Sequence, residues 1–140
     1  MIEALTLAGE DASNIRFDDG YGYSVNGRSG STDDFGLFER RAYGRGGRVL
    51  LGEFDPSSGE ITIYRNAFSS RINFFRTAAG AIGWQELGAS PGFQSSLFVV
   101  SHEIGHRVNG HTRNSNQFEF QANRRAFRTY QQVCGGDPRC

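Results

Sequence analysis

The stretch Ser101-His102-Glu103-Ile104-Gly105-His106-Arg107-Val108-Asn109-Gly110-His111 contains every histidine of the chain. Its core, His102-Glu103-Ile104-Gly105-His106, sets two imidazoles four residues apart. On a helix that spacing puts both on one face, where they can grip one metal ion. Glu103 then stands near the metal's open position, where a carboxylate can take a proton from water. Two chance histidines would lack the apolar run that leads in, Leu97-Phe98-Val99-Val100. Gly105, inside the motif, leaves room for another backbone to approach. The donor types and their spacing suit Zn2+ and hydrolysis.

Working outward, Ser90-Pro91 reads as the start of this helix, with Ser as cap and Pro at the first helical position. Leu97, Val100, Ile104 and Val108 then face the core, and Asn109-Gly110 ends the helix. A last helix is expected over 116–132, with Phe118, Ala122, Ala126, Phe127 and Tyr130 available for packing and Gly135-Gly136 as its stop. Catalytic zinc takes three protein ligands and leaves one position open, so a third ligand is needed. Glu119 on the last helix is one candidate, because a helical hairpin can return it to the metal. Asn123, four residues on, falls on the same face and can accept a hydrogen bond from a ligand histidine. The structural alternative is that Glu119 only caps its own helix after Asn116. His111 is the rival ligand, by the logic of an elongated His-Glu-x-x-His-x-x-Gly-x-x-His pattern. That pattern wants Gly at 109 and His at 112, where this chain has Asn109 and Thr112. It also wants a downstream methionine, and the single Met is Met1. His111 is therefore expected at the surface, beside a ligand, or in contact with substrate.

Upstream, Val49-Leu50-Leu51-Gly52-Glu53-Phe54 and Glu60-Ile61-Thr62-Ile63-Tyr64-Arg65 flank Asp55-Pro56-Ser57-Ser58-Gly59, which reads as a hairpin. Residues 69–87 carry Ile72, Phe75, Ala79 and Ile82 at three- and four-residue spacing and read as a helix, with Gly88 as its stop. Residues 1–48 are rich in Gly, Asp, Ser and Arg and read as loops with short strands, one near Tyr21–Val25.

The chain has 140 residues, enough for one domain. Hydrophobic residues make up 37%, and the 19 Gly bring the share to about half, the usual globular proportion. Fifteen basic and fifteen acidic side chains cancel, which argues against a general nucleic-acid partner. No apolar run suits a membrane span, and the N-terminus lacks the basic and apolar regions of a signal peptide. Every basic residue is Arg. A GC-rich genome explains that, and so does a protein that enters a foreign cell and escapes lysine-directed modification. Cys134 and Cys140 flank a Gly-Gly-Asp-Pro-Arg turn and could close a small disulfide loop or remain free thiols.

His102-Glu103-Ile104-Gly105-His106 together with Glu119-x-x-x-Asn123 resembles the gluzincin branch of the zincin metallopeptidases. The stretch Phe118-Glu119-Phe120-Gln121-Ala122-Asn123 is similar to the small ImmA/IrrE-like bacterial peptidases. The same features resemble metallopeptidase domains at the C-terminal ends of bacterial polymorphic toxins. The likeness covers roughly residues 95–128. It implies His102, His106 and Glu119 as zinc ligands and Glu103 as general base. The way such peptidases are built also implies that the run 61–65 is an edge that accepts an extended peptide. The chain departs from the family pattern in the short gap of thirteen positions between His106 and Glu119.

The expectation is an α+β, zincin-like domain over 1–140: a loop-rich part (1–48), a catalytic core (49–132) and a tail (133–140). A short β-hairpin or sheet packs on the His-Glu-x-x-His helix, with two further helices. The expected activity is zinc-dependent endopeptidase action on a protein or peptide substrate, with no nucleic acid or membrane as partner. Its setting would be a toxin or effector secreted or delivered into a target cell, with a cognate immunity or inhibitor protein, or otherwise the cytoplasm. With no further histidine, the donor that stabilises the oxyanion must be Tyr, Arg, Asn or backbone. Tyr64, Arg124, Arg128 and Tyr130 are the candidates. The alternative is a non-enzymatic binding module stabilised by a closed metal site.

Overall fold

The computed structural model describes residues 2–43, 46–76, 82–89, 93–113 and 115–135; the expected cap at Ser90-Pro91 and the pairing of Cys134 with Cys140 lie outside them. The fold is α+β, with five helices and three small sheets among the described residues.

The helix carrying the histidines, α4 (Phe93–Val108), runs through the centre. Leu97, Phe98, Val99, Val100 and Ile104 are all buried, so this helix is covered on most of its circumference. Each such side chain stabilises the fold by roughly 1.5–3 kcal/mol relative to exposure. Val108, expected in the core, is 53% exposed, because it is the last residue of the helix and lies beyond the elements packed on it. The last helix, α5 (Asn116–Cys134), lies against α4 and buries Ala122, Ala126 and Tyr130. Ser115 caps it: the Phe118 N–H donates to Ser115 Oγ at 3.1 Å. Gly135 closes it in a left-handed conformation, φ 58°, with its N–H on the Gln131 carbonyl.

One sheet packs on α4. Its order is β1-β6-β5, with β1 (Ile15–Phe17) parallel to β6 (Ile61–Ile63) and β5 (Gly52–Phe54) antiparallel to it. The expected hairpin is thus present, with Phe54 opposite Ile61. The run 61–65 is not an edge, however. Its strand β6 is central, and Ile61, Thr62, Ile63 and Tyr64 are all buried. β1 comes from far upstream to pair with the other side of β6, so the edge strands of this sheet are β1 and β5.

The first half of the hairpin sequence also divides. Residues Arg48–Leu50 form β4 in a second sheet of order β3-β2-β4, built on β2 (Tyr21–Val25) and β3 (Arg28–Thr32). Buried Leu51 is the crossing point between the two sheets. The β2–β3 turn is Asn26-Gly27, both with positive φ (52° and 76°), the conformation a two-residue hairpin turn requires. Helix α2 (Phe35–Tyr43) packs on this sheet, so the region expected to be loop-rich is largely ordered. A short α1 (Ile2–Leu7) seats Leu5 in the core, and a single turn, α3 (Asn66–Ser69), follows β6.

The expected helix over 69–87 is instead a β-hairpin. β7 (Ser70–Arg76) pairs antiparallel with β8 (Ile82–Ala89), with Phe74 opposite Trp84. The three- and four-residue spacing of apolar side chains is outweighed by composition. Ile72, Phe74, Phe75, Ile82 and Trp84 favour strands, and Gly80 and Gly83 each cost a helix about 1 kcal/mol relative to Ala. Gly88, expected as a stop, lies inside β8. No helix among the described residues is long and apolar enough to cross a membrane.

Candidate metal centre

Helices α4 and α5 approach closely because Gly105 lacks a side chain. A Cβ there would stand 2.9 Å from Ala122 Cα. This contact lets Glu119, one turn before Ala122, reach the histidines from the opposite helix. His102 Nε2 lies 2.9 Å from Glu119 Oε2, and His106 Nε2 lies 3.3 Å from Glu119 Oε1. The two Nε2 atoms are 3.1 Å apart. One ligand atom from each of His102, His106 and Glu119 falls within 4.8 Å of the others, a triad able to hold a metal ion. Glu119 sits one position past the third residue of α5, and its own N–H is satisfied by the Ser115 carbonyl. Its side chain is therefore not used as a cap.

The outer nitrogens of both imidazoles are held. His102 Nδ1 donates to Asn123 Oδ1 at 2.7 Å. With that hydrogen on Nδ1, a neutral His102 ring keeps its Nε2 lone pair for a metal, and a protonated ring donates from Nε2 to Glu119. His106 Nδ1 meets His111 Nδ1 at 2.9 Å, and His111 Nε2 meets Gln121 Oε1 at 2.8 Å. One tautomer set satisfies this chain. His106 donates from Nδ1 to His111, and His111 donates from Nε2 to the Gln121 oxygen. His106 Nε2 is then also a bare lone pair. His111 is buried, with Phe118 stacked on it at 4.1 Å and Arg113 Cζ 5.7 Å from the Phe118 ring centroid. It is neither a surface residue nor a member of the triad, and its role is to orient His106.

The electrostatics ask for a cation at the meeting point. Burial works against a charge on His102, but Glu119 and Glu103 outweigh it and raise the imidazole above its ordinary pKa. Burial likewise opposes ionisation of Glu119, but hydrogen bonds from His102 and His106 hold its carboxyl well below the usual carboxylate range. Two imidazole nitrogens and one carboxylate oxygen, beside a cleft that all three residues line, are a donor set that could hold a metal ion. Glu103 is buried beside the triad, and its burial pushes its carboxyl up against the pull of His102 and His106.

The cleft has a volume of about 780 Å³ and is walled by β5, by Ser29 and Arg48 of the second sheet, and by Arg113 and Asn116 at the start of α5. None of Tyr64, Arg124, Arg128 or Tyr130 lines it. Tyr64 donates to Glu53 Oε1 at 2.8 Å, Tyr130 is buried in the core, and Arg124 and Arg128 are exposed on α5. Arg113 and Asn116 were not singled out from sequence. Their place at the turn between the two helices, directly before Glu119, is the signal that points to them. Glu53 is a further addition: it takes hydrogen bonds from Tyr64 and from Ser29 Oγ (3.1 Å), tying the two sheets together at the cleft.

Comparison of the chain with protein-family models, with curated proteins and with solved structures finds no match.

Proposed function

We propose that the chain is a zinc-dependent endopeptidase of the zincin type, hydrolysing peptide bonds of a protein substrate. The observation that carries this reading is the convergence of His102, His106 and Glu119 within 4.8 Å, beside buried Glu103 in one open cleft. Zinc held by the three residues would bring the pKa of a water toward neutrality and polarise the scissile carbonyl. Glu103 accepts the proton of the attacking water and passes it to the leaving amine. Asn123 and the His111–Gln121 pair keep both imidazoles in the tautomer that leaves Nε2 free. Arg48, Arg113 and Asn116 are among the lining side chains able to donate to the oxyanion. The free edge of β5 offers backbone hydrogen bonds to an extended peptide without selecting its side chains.

The competing reading, a non-enzymatic module stabilised by a closed metal site, needs a fourth protein ligand. His111 is the residue to supply it, and its Nδ1 is committed to His106 Nδ1 on the far side of the ring from Nε2. That geometry favours the open, catalytic reading. The wider setting we propose is a toxin or effector domain delivered into a target cell, with a cognate inhibitor protein covering the cleft. Its support is the small domain and the complete use of Arg in place of Lys.

The Glu103→Gln variant tests the mechanism. It should bind zinc as the parent does and lose hydrolysis of a denatured protein substrate. Unchanged cleavage by this variant would sink the mechanism.

A further inference from the structure

A second groove, of about 980 Å³, lies between the β2–β3 hairpin and α2. Tyr23, Val25, Leu37, Arg28, Arg40 and Arg41 line it, and no lining residue is acidic. This is a local concentration of positive charge in a chain whose net charge is zero. The Tyr23 ring lies across Gly30, where a Cβ would stand 3.0 Å from Tyr23 Oη. Arg41 is fixed over that ring, its Cζ 5.4 Å from the centroid, and it donates to the phenol oxygen. Arg28 and Arg40 are exposed, and among the described residues neither has a carboxylate within ion-pair distance. Ser29 lines both this groove and the metal cleft, so the two lie side by side at β3.

We infer that this groove binds an acidic segment of the polypeptide substrate and holds it in register with the metal cleft. The inference rests on the endopeptidase reading for its purpose. The recognition itself follows from the charge: planar guanidinium groups from β3 and α2, on the two sides of one groove, match carboxylates, and apolar Val25 and Leu37 receive the stems between them. A nucleic acid is the other polyanion such a groove could take. The acidic peptide is favoured because the groove adjoins, at Ser29, a cleft with three carboxylates, Glu53, Glu103 and Glu119, which would repel a uniformly charged phosphate backbone extending from one to the other.

The test is fluorescence anisotropy with four labelled probes of equal length: oligo-glutamate, oligo-glutamine, oligo-lysine and a single-stranded oligonucleotide. Oligo-glutamate should bind most tightly, weaken at raised ionic strength and bind equally with and without a chelator. The Arg28→Ala/Arg40→Ala variant should weaken it roughly fivefold or more, as expected for loss of two exposed charge contacts. The charge-reversed Arg28→Glu/Arg40→Glu variant, altered at the same exposed positions, should prefer oligo-lysine. Equal affinity for glutamate and glutamine probes, an unaffected alanine variant, or tighter binding of the oligonucleotide would each overturn the inference. The measurement needs neither zinc nor turnover. Its failure therefore leaves the metal reading standing, and loss of the metal reading leaves an acidic-peptide groove. Cleavage sites mapped in a digest of denatured proteins supply the link: Asp and Glu should be enriched beside them for the parent and not for the alanine variant. Identical site preferences for the two would refute the link.

Discussion

Gly105 and Ala122 meet at the crossing of α4 and α5, where a Cβ on the glycine would stand 2.9 Å from Ala122 Cα and 3.2 Å from its carbonyl oxygen. Both obstacles are backbone atoms, which cannot swing aside as a side chain could. The separation of the two helices, and hence the reach of Glu119 to the histidines, is set at this point.

Gly105→Ala should therefore cost about 1–3 kcal/mol, the usual range for overpacking a tight contact, and should weaken zinc binding at the same time. Thermal unfolding with and without zinc reads both effects. A variant as stable as the parent with unchanged zinc affinity would show that the crossing does not set the site.

Substitutions around the triad should separate ligands from the residues that orient them. Glu119→Ala removes a donor atom and should abolish stoichiometric zinc binding. His111→Ala and Asn123→Ala each release one imidazole from its fixed tautomer and should weaken zinc by roughly tenfold to a hundredfold. Competition titration against a chelating dye measures all three. If His111→Ala matched Glu119→Ala, His111 would have to be counted as a ligand.

Zinc should also stabilise the fold, because the unfolded chain cannot bring its three donors together. At a free concentration a hundred times the dissociation constant, the gain should be about 2.7 kcal/mol. Chelation should lower the unfolding temperature, and added zinc should restore it. A melting temperature indifferent to zinc would count against the site.

Away from the cleft, Glu10 joins the chain start to α5. Its Oε2 accepts from Arg125 Nη2 at 2.9 Å and its Oε1 from Thr129 Oγ1 at 2.9 Å. The Glu10 side chain is 5% exposed, so removing it leaves Arg125 and Thr129 without their acceptor. Glu10→Ala should cost roughly 1–3 kcal/mol without changing zinc affinity. Denaturant unfolding beside a zinc titration checks both halves of that statement.

Asp18 predicts part of the acid limb of stability. Burial opposes its ionisation, but the Gly20 N–H, the Ser31 hydroxyl and Arg16 outweigh it and hold the carboxyl below its ordinary value. The stabilisation is full above the unfolded-state value of about 4 and is lost as pH falls through the lower folded-state value. The stability gap between the parent and Asp18→Asn should accordingly close on acidification. A gap that stays constant with pH would remove Asp18 from the acid limb.

The helical half of the molecule was legible because its signals are local. His102 and His106 share a helix face by spacing alone, and Gly105 announces a close neighbour. Glu119 and Asn123 repeat the four-residue interval on the next helix. The sheets were much less so. Strands of three residues are too short to display alternation, and β6 is buried on both faces, so Thr62 and Tyr64 mislead any reading that expects polar residues outside. That β6 is central depends on Ile15 pairing with Ile61, a contact no local pattern announces. Over 69–87 the apolar spacing fitted a helix, and strand preference with two glycines decided otherwise. The arginines of the second groove lie on β3 and α2, and only the folding of one against the other brings them together.

All the side chains that form or orient the triad, from His102 to Asn123, belong to one uninterrupted hairpin of α4 and α5. Contacts so close in sequence need little loop closure and form early in folding. The donor set should thus be assembled while the sheets are still pairing, and nascent zinc affinity should precede the groove that reads the substrate. During folding the chain would be able to hold a metal before the groove between β3 and α2 exists.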